Sequence, residues 1–163
     1  MKKNICFSAL AAAAMLGACG NDAARPAPAD TTRDEWQMME TSVPYEALMG
    51  YAVRNGVRTD SIPTLIRSEE EFDRYFQKTA ASKSATVTRP DFGKSVVIAI
   101  ILDETGIETD LEPKELTATA TDLALKSTVT LGKAATGTMQ PFLLLMVDRN
   151  HDRPRLQTTF EMK

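Results

Sequence analysis

The chain has 163 residues, 43% hydrophobic and 25% charged, which suits one ordinary globular domain and excludes a disordered, collagen-like or disulfide-framework protein. With 22 acidic residues against 19 lysines and arginines, neither a nucleic acid nor an anionic lipid surface is an expected partner. Two cysteines and one histidine leave few groups for thiolate metal sites or histidine-based catalysis.

At the amino end, Lys2 and Lys3 precede an apolar run from Ile5 to Leu16. The run is shorter than the roughly 20 residues a membrane span needs, so residues 1–18 read as an export signal. The stretch "LGAC", residues 16–19, sets a large aliphatic residue and two small ones ahead of a cysteine. It resembles the lipobox of bacterial lipoproteins, and the resemblance implies cleavage before Cys19 and acylation of Cys19. Two or more acyl chains at about 0.8 kcal/mol per buried methylene anchor a protein stably in a lipid bilayer. Gly20 behind the cysteine, rather than aspartate, resembles lipoproteins sent on to the outer membrane instead of the inner one. The other cysteine, Cys6, lies in the discarded run, so the mature domain has no disulfide. Losing Lys2 and Lys3 also makes it more acidic. Residues 19–35 then form a linker without a large apolar residue, partly stiffened by Pro26 and Pro28, and a single globular domain spans 36–163.

Within that domain "YEALMGYAVRNG", residues 45–56, fits helical and alternating patterns alike; Gly50 and the Asn55-Gly56 turn signal favour a strand. In "SEEEFDRYFQKTAA", Ser68 and Glu71 make a capping box, and Phe72, Tyr75, Phe76 and Thr79 or Ala80 a stripe. A helix over about 69–80, packed on a sheet, is expected. "SVVIAIILD" and "PFLLLMVD" are continuous apolar runs, as in strands covered on both faces. "IETDLEP", "ELTATAT", "LALKSTVTL" and "RLQTTFEM" alternate as half-exposed strands do; Ile107, Thr109 and Leu111 are expected to face inward, as are Leu156, Thr158, Phe160 and Met162. The sum is an α+β domain: six to seven mostly antiparallel strands, barrel-like or sandwich, with one main helix.

The order "IRSEEEFDRYF", "RPDFGKSVVIAIIL" and "GTMQPFLLLMVDR" resembles small exported lipoproteins of Bacteroidetes. More distantly it resembles the C-terminal domain of the bacterial protease complex subunit PrcB, over roughly residues 62–150. In that domain an Asp-Phe pair precedes an apolar strand and a proline precedes the last apolar strand. The glycine-rich segment that usually follows the first apolar strand there is "DETGIETD" in this chain. The resemblance implies a structural kinship and brings no catalytic residue.

Chemistry has few candidates. His151 in "DRNHDRP" is the one histidine, and in a polar turn it is more often solvated than catalytic. Asp148, Asn150 and Asp152 alternate as in the first half of an EF-hand loop, but the positions that need glycine and a bidentate acid hold Arg153 and Thr159. A turn bonded to its own backbone is the expected reading. The acids Glu69, Glu70, Glu71 and Asp73, and Asp103, Glu104, Glu108 and Asp110, are expected on solvated faces. No cofactor is implied. The stretch Gly132–Pro141, with Lys133, Ala134, Ala135, Thr136, Gly137, Thr138, Met139 and Gln140, reads as a long small-residue loop suited to partner binding. The expected function is that of a membrane-anchored exported lipoprotein acting as a non-catalytic protein-binding module. Its partner would be another envelope or secreted protein, and its most concrete form a protease inhibitor or accessory subunit. The alternatives are a small envelope hydrolase or calcium-dependent enzyme using the His151 turn, and an envelope scaffold.

Overall fold

The computed structural model describes residues 39–79 and 87–163. The export signal, Cys19, the linker, the first residues of the expected domain at 36–38 and residue 80 at the expected helix end lie outside the described residues.

One long hairpin, folded over on itself, organises the domain. Strand β6 (Ser95–Ile101) pairs antiparallel with β9 (Phe142–Asp148), and β7 (Thr105–Ala118) with β8 (Asp122–Met139). β6 runs into β7 and β8 runs into β9, so the two ladders are continuous through a corner at residues 102–104 and 140–141. There the Leu102 amide donates to the Pro141 carbonyl at 2.9 Å. Folding the hairpin at this corner lays its two halves face to face as a sandwich.

The remaining strands widen each half. β1 (Thr41–Ser42) and β10 (Arg155–Met162) complete a first sheet in the order β1-β7-β8-β10; β2 (Tyr45–Ala47) and β4 (Leu65–Ile66) complete a second in the order β2-β9-β6-β4. All pairings are antiparallel except β8 with β10. These two are parallel because the chain crosses to the second sheet through β9 between them.

The apolar runs are explained by cover on both sides of the second sheet. Val96, Ile98 and Ile100 of β6, with Leu143, Leu145 and Val147 of β9, pack against Leu111, Leu116, Leu123 and Leu125 of the first sheet. The intervening Val97, Ala99 and Leu144 pack the other way, on Leu48, Tyr51, Phe72 and Phe76. With successive side chains on opposite faces, only an unbroken apolar strand can fill both cores.

The helix α1 (Glu69–Tyr75) lies over that outer face. Ser68 Oγ accepts from the Glu71 amide at 3.2 Å, as a capping box requires, whereas Glu71 Oε2 takes the Arg67 amide at 3.1 Å instead of that of Ser68. The expected run to residue 80 is not realised. After Tyr75 the chain turns extended as β5 (Phe76–Lys78), pairing with β3 (Tyr51–Val53). The Tyr75 carbonyl accepts from the Arg54 amide at 2.8 Å, so a sheet ladder takes over the groups a longer helix would use. Phe72 and Phe76 are still buried, and their rings meet at 5.3 Å.

Three other expectations change. Residues 45–56 make two strands in different sheets, β2 and β3, and Gly50 at φ 82° lies where the chain passes from one to the other. "IETDLEP" and "ELTATAT" are one strand, β7: Pro113 lacks an amide, and the register shift between Pro113 and Glu115 absorbs the break as a bulge. On β10 the alternation holds but cover does not follow it: Leu156 is half-buried, while Thr158 is exposed and Phe160 and Met162 are 38% and 63% exposed. Ile107 is likewise exposed, at 41%.

Candidate functional site

The turn between β9 and β10 is a junction built by its arginines. A short 3-10 turn, Arg149–His151, is capped by Asp148, whose Oδ1 accepts from the Asn150 amide at 2.8 Å. Asp152 is held in a two-pronged pair by Arg67, with Nε to Oδ2 and Nη2 to Oδ1 both at 2.8 Å. Arg67 Nη2 also donates to the Arg153 carbonyl at 2.8 Å, and Arg153 Nε donates to the Thr119 carbonyl at the tip of the β7–β8 hairpin, also at 2.8 Å. Arg149 reaches the Phe92 carbonyl. One turn thus ties together the β4–α1 loop, the hairpin tip and the start of β6. The two acids of the alternating triplet are engaged by the backbone and by Arg67, and among the described residues no three His, Cys, Asp or Glu side chains converge as a metal site. The carboxylate of Asp152 holds the Arg67 guanidinium even more firmly protonated than usual, mainly through their hydrogen bonds.

His151 is half-buried on the rim of a cleft of about 330 Å³, lined also by Met39, Thr41, Ala118, Thr119, Ala120 and Arg153. The hydroxyl of Thr119 is engaged in the hairpin turn, accepting from the Asp122 amide at 3.0 Å. The helix acids have partners too. Glu69 and Asp73 share Arg89, at 2.5 and 2.7 Å, and Glu70 pairs with Arg74 at 3.0 Å. Glu104 accepts from the Thr138 hydroxyl across the β7–β8 pair.

The stretch expected as a loop is strand. Residues 132–139 form the last part of the 18-residue β8, opposite the start of β7. The reading as a loop failed because small residues and glycines signal a turn in a sequence, while here they allow bulges. Ile107 opposes Ala134 and Thr105 opposes Met139, so Ala135, Thr136, Gly137 and Thr138 stand opposite Gly106 alone. A second shift lies between Ile107 and Thr109. Gly132 sits there so close to Glu108 that an added Cβ would come within 3.0 Å of the Glu108 Cβ.

This bulged arm is an exposed two-stranded ribbon. Among the described residues its flank beyond Val129 has no third strand, the pairing of β10 with β8 stopping at Met162 and Val129. Of residues 130–139 only Ala135 is as much as half-buried, and Leu131 and Met139 are 46% and 37% exposed. Two grooves meet at its base. One, of about 280 Å³, lies between Leu48–Tyr51 and the segment Met139–Leu144. The other, of about 340 Å³, is lined by Leu102, Val129, Leu131, Phe160 and Met162, and Thr109 and Pro141 border both. The sequence reading named the residues of the arm but missed the flanking Met49, Phe160 and Met162. Their exposure depends on where strands end and neighbouring elements stop, which no local pattern encodes. Against known proteins, no family model, no curated protein and no solved structure matches the chain.

Proposed function

We propose that this chain is an exported lipoprotein, anchored through acylated Cys19, that acts without catalysis by binding another envelope or secreted protein on the arm of residues 103–109 and 130–139. The observation that carries the reading is the arm itself. Ile107, Leu131 and Met139 are exposed on a strand pair whose flank carries no further strand among the described residues, the arrangement by which an incoming chain is added to a sheet edge. The bulge sets Ala135, Thr136, Gly137 and Thr138 opposite Gly106 alone, which puts small residues, exposed but for half-buried Ala135, outside the regular ladder, where a partner can reach them. An exported protease is the partner class we assign, as inhibitor target or as the enzyme of which this chain is an accessory subunit, in keeping with the resemblance to the PrcB C-terminal domain. The "LGAC" stretch supports the anchor, and a tethered binder meets a membrane-confined partner at raised effective concentration.

The experiment has two arms. Labelled fatty acid is expected to enter the wild-type chain and not Cys19→Ser; equal labelling of both overturns the anchor. Affinity purification from envelope is expected to recover an exported partner that is lost with Leu131→Asp or Met139→Asp. A partner retained equally by those variants overturns the assignment of the arm.

A further inference from the structure

β10 is an edge strand, and among the described residues nothing pairs with its outer side. The Lys163 amide donates to the Val129 carbonyl at 3.0 Å. Alternation along the parallel ladder therefore turns the backbone groups of odd-numbered residues toward β8. Those of Leu156, Thr158, Phe160 and Met162 point outward. The side chains of these same residues stand beside Leu123, Leu125, Ser127 and Val129, on the inner face of the sheet, and Phe160 and Met162 remain exposed there. Edges protected against pairing carry a proline, a bulge or an inward charge. β10 keeps an unshifted register over its eight residues, its inward side is Leu, Thr, Phe and Met, and Pro154 lies just before it.

We infer that β10 pairs antiparallel with β10 of a second copy, in a twofold register centred on Thr158, joining the two first sheets into one. Opposed residues of an antiparallel pair share a face, so the twofold axis must pass through a residue. Centring on Thr159 sets Arg155 against Lys163, like charges. Centring on Gln157 sets Pro154, which has no amide, against Phe160. Centring on Thr158 sets Arg155 of each copy against Glu161 of the other and Leu156 against Phe160. Pro154 then opposes only Met162, the last residue of β10, and not a residue inside the ladder. The outward amides and carbonyls of Leu156, Thr158 and Phe160 meet their counterparts, and the exposed aromatic face gains cover. Arg155 contacts Asp122 through Nε at 3.0 Å, and its side chain, 71% exposed, extends into solvent on the side where this pair would form. The interface is isologous, so assembly closes at two. It uses the β10 edge and does not depend on the binding role proposed for the arm.

The test is sedimentation equilibrium of the full chain in detergent matched to the solvent density. A mass of two chains is expected. Glu161→Arg and Arg155→Glu each place like charges across the axis and are expected to weaken the dimer about tenfold, and the combined charge swap to restore it. Thr158→Pro removes an outward amide that β8 does not use, and is expected to give monomer with an unchanged circular dichroism spectrum. A monomer at every concentration overturns the proposal and leaves the edge to a strand from another protein. So does a mass above two, or a dimer indifferent to the charge variants and to Thr158→Pro.

Discussion

Removing Asp152 separates the structural reading of the β9–β10 turn from the calcium reading. Its carboxylate meets Arg67 through two hydrogen bonds of 2.8 Å, and the side chains are 23% and 39% exposed. Fully exposed pairs contribute about 0–1 kcal/mol, and breaking a buried pair costs about 3–5 kcal/mol. The two-pronged geometry argues for the upper part of the exposed range, and the exposure of Arg67 screens it from the buried one. Asp152→Ala is therefore expected to cost about 1 kcal/mol, which at this chain length lowers Tm by about 3 °C. A double-mutant cycle with Arg67→Ala, read from urea unfolding, is expected to return a coupling of about 1 kcal/mol. Millimolar calcium should leave Tm unchanged in both wild type and variant. Zero coupling, or a calcium-induced rise in Tm that Asp152→Ala abolishes, refutes the reasoning.

Phe72 is 1% exposed and touches the rings of Tyr51, Phe76 and Phe92; urea unfolding of Phe72→Ala should show a loss of about 3–5 kcal/mol. The hydroxyl of Ser127, 1% exposed, has no hydrogen-bond partner among the described residues, so Ser127→Ala should gain up to about 1 kcal/mol in the same assay. Burial raises the pKa of the Tyr51 phenol above its usual 10.0, and its hydroxyl donates to the Thr88 carbonyl at 3.1 Å. A raised folded-state pKa favours the protonated form. The stability from Tyr51 is therefore whole below pH 10 and lost as the pH rises through the folded-state value. Ultraviolet titration should find one tyrosine ionising late, and Tyr51→Phe should flatten the alkaline fall in stability.

What could be read in advance was whatever a short stretch decides by itself. The runs of β6 and β9 announced cover on both faces, because only a two-sided environment tolerates Val96-Val97-Ile98 in sequence. Ser68 and Glu71 fixed the start of α1, a matter of one turn of backbone. Its end was not legible: Phe76 satisfies a helical stripe and a strand equally, and the choice was made by β3, more than twenty residues earlier. The β9–β10 turn read as half of a cation loop, with Arg153 in the place of its glycine. Its Asp152 is held instead by Arg67, 85 residues away, while Arg149 and Arg153 brace the turn on the Phe92 and Thr119 carbonyls. The arm of residues 130–139 was noticed for composition, but its status as bulged strand depends on register with β7. The exposed Phe160 follows the same inward alternation as buried residues and differs only in lacking a sheet above it.

The central claim is that the arm meets a partner at the membrane, and its most direct test is in living cells. A photo-crosslinking residue at exposed Thr136, compared with one at exposed Arg74 on α1, should yield a discrete adduct with another exported protein from Thr136 alone. That adduct should fade with Leu131→Asp and with Cys19→Ser. An adduct from both positions, or none from Thr136 with the chain in place at the envelope, contradicts the account.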